Sequence, residues 1–169
     1  MRRIASLFAV SLTAALLVAL LLVGVAGASA SHQSNASSGG SVFSATLTPD
    51  LGPKVEPTIG GVAPGGLPWV LKSGHVTISS RGLLEASVGG LLLGPGSPPN
   101  LIGTTGPVTQ VSASLVCANG PIVTTNAVEL NAKGNAQIHQ TISLPAQCAG
   151  PIVLIRAFAA GPWLAASGF

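Results

Sequence analysis

Tyrosine is absent from this 169-residue chain, and the other aromatics are few, four Phe and two Trp. Sugar-binding modules usually present aromatic platforms. Beyond residue 30 this chain has only Phe43, Trp69, Phe158, Trp163 and Phe169 to share between a platform and a core. Charge is equally scarce, at 7% Asp, Glu, Lys and Arg. No basic cluster exists to neutralise a run of phosphates, which argues against a nucleic-acid partner. The G-x-S-x-G elbow of many serine hydrolases does not occur. Neither does a phosphate loop or a dinucleotide fingerprint, since Gly94-Pro95-Gly96 runs straight into Ser97-Pro98-Pro99. Past the N-terminus no apolar pattern of period 3.6 has useful length, which excludes a helical core. The two cysteines have no CxxC spacing and no neighbouring histidine, so a metal pair would lack ligands. No cofactor is implied.

What is present begins with Arg2-Arg3 and an apolar run unbroken by polar side chains from Ala14 to Ala28. Ala28-Ser29-Ala30 then supplies the small-x-small pattern that signal peptidase cuts. Residues 1–30 are therefore expected to be a signal peptide with a helical apolar core. The alternative is a retained membrane anchor, because Ile4 to Val25 is long enough to span a bilayer at about 20 residues, although Ser6, Ser11 and Thr13 interrupt its first half. Without residues 1–30 the cations are Lys54, Lys72, Arg81, Lys133 and Arg156 and the anions Asp50, Glu56, Glu85 and Glu129, a surplus of one positive charge. Residues 31–41, mostly Ser, Gly, Asn and Gln, read as a disordered tether.

Residues 42–169 read as one domain of short strands. Phe43, Ala45 and Leu47 share a face. Asp50 to Gly66 is rich in Pro and Gly and is expected to be a long surface loop. Val76 and Ile78 alternate with Thr77 and Ser79. After Arg81-Gly82, Leu84, Ala86 and Val88 alternate with Glu85 and Ser87, giving a hairpin with one wet face. Residues 94–107 form a second loop, stiffened by Pro95, Pro98, Pro99 and Pro107. Val111, Ala113, Leu115 and Cys117 then alternate with Gln110, Ser112 and Ser114. Asn119-Gly120 marks a hairpin turn back into 122–125. A further strand pair is expected between 128–130 and 136–144, around Lys133-Gly134. Gln140 is the local conflict, since it falls on the apolar face with Ala136, Ile138, Ile142 and Leu144. An edge strand or a polar spot in a groove would each account for it. The segment from Ile152 to Phe158 is apolar on both faces until Arg156, as a central strand covered twice would be. The expected fold is all-β, an antiparallel β-sandwich of immunoglobulin-like or barrel-like form preceded by the signal helix.

Cys117 and Cys148 both lie in the part expected to be exported, where a disulfide is chemically allowed. Free thiols and an intermolecular bridge are the other options. A bridge closing a loop of about 32 residues would add roughly 3–4 kcal/mol in the chain-entropy model.

The pattern Trp69, Gly74, 76–78, Gly82, 84–88, then 113–117 ending in Cys117, Leu144-Pro145, Cys148, 151–155 and Trp163 resembles a group of exported bacterial proteins of unknown function, mostly from actinobacteria and other soil bacteria. The resemblance covers about residues 69–168. It implies an exported bacterial β domain and carries no activity or site residues.

Candidate chemistry rests on His75 and His139, expected on wet faces with Thr77 and Ser79, and with Gln137 and Thr141. The four acids are scattered, so no pair of facing carboxylates for glycoside hydrolysis is legible. The expected function is an exported, non-catalytic β module that binds or assembles at the cell surface through an unspecified ligand or protein partner. It would meet a membrane only if the N-terminal helix is retained. The alternative is a small extracellular hydrolase using His75 or His139 with a carboxylate.

Overall fold

The computed structural model describes residues 39–52, 56–118, 120 and 122–168. The expected signal peptide and its cleavage site, residues 31–38 of the tether, and Asn119 of the expected turn lie outside the described residues. Among the described residues there are eleven strands and no helix. They are β1 (Ser41–Pro49), β2 (Trp69–Val70), β3 (Ser73–Ser79), β4 (Leu83–Gly89), β5 (Leu92–Leu93), β6 (Gln110–Val116), β7 (Val123–Thr124), β8 (Val128–Glu129), β9 (Ala136–Thr141), β10 (Ile152–Ala157) and β11 (Trp163–Ser167).

Nine strands form one curled antiparallel sheet in the order β7-β6-β10-β11-β1-β3-β4-β9, with β8 on the same edge of β6 as β7. The long strand β1 makes the curl possible. Its first part pairs with β3 from Ser41 to Thr46, and its last three residues pair with β11. A strand that changes partners midway lets one sheet curl over on itself. The short pair β2–β5 stands apart as a ribbon.

Alternation decides what lies inside the curl. Val76, Ile78, Leu84, Ala86, Val88 and Ile138 from one half meet Val111, Ala113, Leu115, Val153 and Ile155 from the other, all buried. The expected hairpin β3–β4 is present, with Val76 opposite Ala86 and Thr77 opposite Glu85. As expected, β10 is a central strand, held between β6 and β11.

The outer face of β10 is covered by a segment expected to be only a surface loop. Ile59 and Val62 are buried against Val116, Leu154, Trp163 and Ala166 as a second apolar cluster. Fully burying a side chain such as Leu154 contributes about 1.5–3 kcal/mol. Gly60 permits this seat, because its φ is 55° and a Cβ there would stand 2.3 Å from Val116 Cγ1. The periodicity of the loop is hidden because only two of its residues face inward.

One expected pairing is not formed. β8 pairs with β6, at Gln110–Glu129 and Val111–Val128, while β9 pairs with β4. The expected turn does exist, with Asn131 Oδ1 accepting the backbone N–H of Lys133 and Asn135. It joins the two ends of the sheet order instead of closing a hairpin. A hydrophobic alternation specifies which face is buried, not which strand lies alongside.

Candidate functional site

The wet face of β1, β3, β4 and β9 gathers most of the polar side chains with chemical potential. Register sets them in rows, with Ser44, Thr77, Glu85 and His139 opposite one another across four strands. Thr46, His75, Ser87 and Gln137 form the adjacent row. His75 Nε2 lies 3.4 Å from Ser44 Oγ. His139 Nδ1 lies 2.9 Å from Glu85 Oε1, both side chains being largely exposed. A nucleophilic triad needs a single imidazole bonded to both hydroxyl and carboxylate. Here the hydroxyl contact and the carboxylate contact belong to different histidines. The ion pair faces water, where such pairs contribute little to stability. The sequence placed both histidines on wet strand faces, and the structure brings them onto the same one, beside one of the four acids.

A different arrangement occupies one end of the curl. Cys117 and Cys148 are joined in a disulfide, with Cα atoms 4.9 Å apart. Cys117 ends the apolar face of β6, and Cys148 lies in the connection between β9 and β10. Ala118 N–H donates to Ala149 O beside the bridge. Next to it opens a cleft of about 250 Å³ lined by Val42, Phe43, Leu115, Leu144, Pro145 and Cys148. Val42 is 62% exposed. Leu144 was expected to point inward, but β9 stops at Thr141 and Leu144 stands on the rim of this cleft. No titratable side chain lines it, so the cleft suits binding of apolar surface, not proton transfer.

Gln140 is accounted for by the edge position of β9 and by a partner outside the sheet order. β9 ends the strand order, as the edge-strand reading required. Its side-chain amide accepts from Asn126 N–H at 2.9 Å and donates to Asn126 O at 3.2 Å. The amide therefore acts as a one-residue strand, linking β9 to the segment between β7 and β8.

Two charged residues have roles that the sequence did not suggest. Asp50, the first residue of the stretch expected to be a surface loop, is fully buried. Its Oδ1 accepts Gly52 N–H at 2.7 Å and its Oδ2 accepts Gly65 N–H at 2.6 Å. It thus clamps both ends of the 50–66 loop. Burial raises its pKa above the ordinary 3.8; the bonds from Gly52 and Gly65 lower it in part, and the charge of Glu56 raises it further. The Asp50-Leu51-Gly52 spacing is an Asx-turn signal, the one local hint of this role. Arg156 interrupts the apolar strand β10 to clip the β10–β11 turn. It donates from Nε to Gly161 O at 2.7 Å, from one terminal nitrogen to Ala160 O, and from the other to Ser114 Oγ at 3.4 Å. Partial burial lowers its pKa.

Among the described residues, no group of three or more His, Cys, Asp and Glu side chains is placed to hold a metal ion. No helix among them is long and apolar enough to cross a membrane. No protein-family model, curated protein or solved structure matches the chain.

Proposed function

We propose that this chain is an exported, non-catalytic β module that binds or assembles at the cell surface. The reading is supported chiefly by the division of the wet face, where Ser44 meets His75 and Glu85 meets His139, so that neither histidine has both partners of a nucleophilic site. The apolar cleft beside the disulfide offers a binding surface of the kind such a module needs. Export is favoured by the disulfide, a bond that persists in oxidising compartments, together with the signal-like N-terminus. At finer grain the curled sheet reads as a β-sandwich whose layers meet at β1. The spacing pattern keeps its resemblance to exported bacterial proteins as part of this proposal.

The test is the double variant His75→Ala, His139→Ala, with hydrolysis of a nitrophenyl ester and binding to intact cells measured beside a folding readout. Cell binding is expected to survive and ester turnover to be no different from the wild-type background. Wild-type turnover that vanishes in a folded double variant would sink the reading. It would promote the small extracellular hydrolase using His75 or His139 with a carboxylate, for which the contact between His139 and Glu85 is the favourable observation.

A further inference from the structure

The connection from β2 into β3 and the turn between β8 and β9 carry one lysine each, Lys72 and Lys133, far apart in sequence. Because β3, β4 and β9 lie side by side, the fold sets these lysines on either side of the backbone from Gly89 to Leu91. On one side Lys72 N–H donates to Gly89 O at 3.0 Å. On the other, Gly90 N–H donates to Asn135 Oδ1 at 3.0 Å and Leu91 N–H to Gly134 O at 2.9 Å. Gly134 lets the turn come this close, because its φ is 73° and a Cβ there would stand 2.4 Å from Leu91 O.

Over Gly89 and Gly90, which have no side chains to fill it, lies an open groove of about 730 Å³. Lys72 and Lys133 both line it and both are exposed. The described residues hold four cations, Lys72, Arg81, Lys133 and Arg156, and four anions, Asp50, Glu56, Glu85 and Glu129. Two of those cations line the groove and none of those anions does. Glu129 lines a separate hollow that shares only Asn135 with the groove. The one ion pair among the described residues joins His139 to Glu85, so neither lysine is neutralised by them. A concave surface lined by charge of one sign focuses its field on an oppositely charged partner.

The remaining walls narrow the class of anion. Val70, 42% exposed, and Leu92 pair across β2 and β5 and give the groove an apolar side. Ser73 supplies a hydroxyl, and Asn135 keeps its NH₂ group as a donor because its Oδ1 serves Gly90. No aromatic ring lines the groove to stack on bases. The backbone of Gly89 to Leu91 is already bonded to Lys72 and to the turn, so it offers no open strand edge for an acidic peptide to extend. Lysine is a compact point charge without the fork that suits phosphate, so a carboxylate serves it well. We infer that the groove binds an anionic polysaccharide, a chain of uronic-acid sugars whose carboxylates meet Lys72 and Lys133 while the C–H faces of the rings rest on Val70 and Leu92. Recognition led by charge needs no aromatic platform. The inference stands apart from the cell-surface reading, because neither the histidines nor the cleft beside the disulfide takes part.

The experiment is a calorimetric titration of the protein with oligogalacturonate, beside the fully methyl-esterified oligomer and beside polyglutamate. Oligogalacturonate is expected to bind, with affinity falling as salt is raised. The ester has the same rings without the charge and is expected not to bind. Lys72→Gln and Lys133→Gln should each weaken binding by about twofold to fivefold, the worth of an exposed ion pair. Together they should weaken it by about tenfold, with thermal unfolding unchanged because both side chains are exposed. Arg81→Gln removes the same charge elsewhere on the surface and should leave binding as it is. In ¹⁵N-labelled protein the shifts on binding should centre on Gly89, Gly90 and the Asn135 side-chain amide. Absence of binding, equal binding of the ester, shifts centred elsewhere, equal weakening by Arg81→Gln, or undiminished binding by the double variant would each overturn the inference. Tighter binding of polyglutamate would overturn it in favour of an acidic protein partner.

Discussion

Asp50 links the chemistry of one side chain to the placement of a 17-residue loop. A carboxylate can stay buried here because two backbone N–H groups face its two oxygens. Asparagine has only one acceptor oxygen, so Asp50→Asn turns an NH₂ group toward one of those donors. The expected loss is about 1–3 kcal/mol, the cost of a buried donor left without its acceptor, measurable by urea unfolding. The pH dependence follows from the raised pKa. The folded state holds the Asp50 proton more tightly than the unfolded chain does. The stability contributed by that proton is therefore fully present below the ordinary value of 3.8 and is lost as pH rises through the higher folded value. Asp50→Asn has no such proton, so wild-type stability should fall relative to that variant as pH rises through the folded value; a relative gain over that window would contradict the raised pKa.

At the scale of elements, two cross-ties matter. The disulfide joins the end of β6 to the connection between β9 and β10. It thereby ties a strand of one half of the curl to the segment arriving from the other half. Changing Cys117 and Cys148 together to Ala should cost about 2–5 kcal/mol, the usual range for small secreted domains. Non-reduced digests should contain one peptide pair linked through these residues, and two alkylatable thiols in freshly isolated protein would contradict the bridge. The second tie is Gln140. Its paired bonds to Asn126 span the seam beside β9. Gln140→Ala should destabilise the chain by about 1–2 kcal/mol at the usual net worth of exposed hydrogen bonds. It should also speed hydrogen exchange at the Asn126 amide, and unchanged protection there would show that the seam is held by something else.

For the whole molecule, the outstanding question is where the chain goes. The apolar run and Ala28-Ser29-Ala30 predict removal of residues 1–30 on export. N-terminal sequencing of secreted material should begin at Ser31. Recovery only from membranes, with residue 1 or 2 still attached, would favour the anchor. The same scale shows the limits of reading in one dimension. The β3–β4 hairpin was legible because its partners adjoin in sequence and Arg81-Gly82 turns the chain between them. The joining of β1 to both β3 and β11 was not, because two parts of one apolar strand with the same alternation find partners far apart in the chain.

Strand alternation by itself determined an all-β fold, the inward faces of β3, β4 and β6, the double cover of β10 and the exposure of both histidines, since burial of every second side chain is written residue by residue. Cysteine count and the expected export of the chain made one intramolecular bridge the natural expectation. Only the tertiary structure decided that β8 and β9 part company and that the 50–66 loop shields β10 through Ile59 and Val62. It also decided that Asp50 is buried and that Trp69 packs into the core. Each of these depends on groups distant in sequence meeting in space. A local pattern records which way a side chain faces, but the partner it meets there is fixed by how the whole sheet closes.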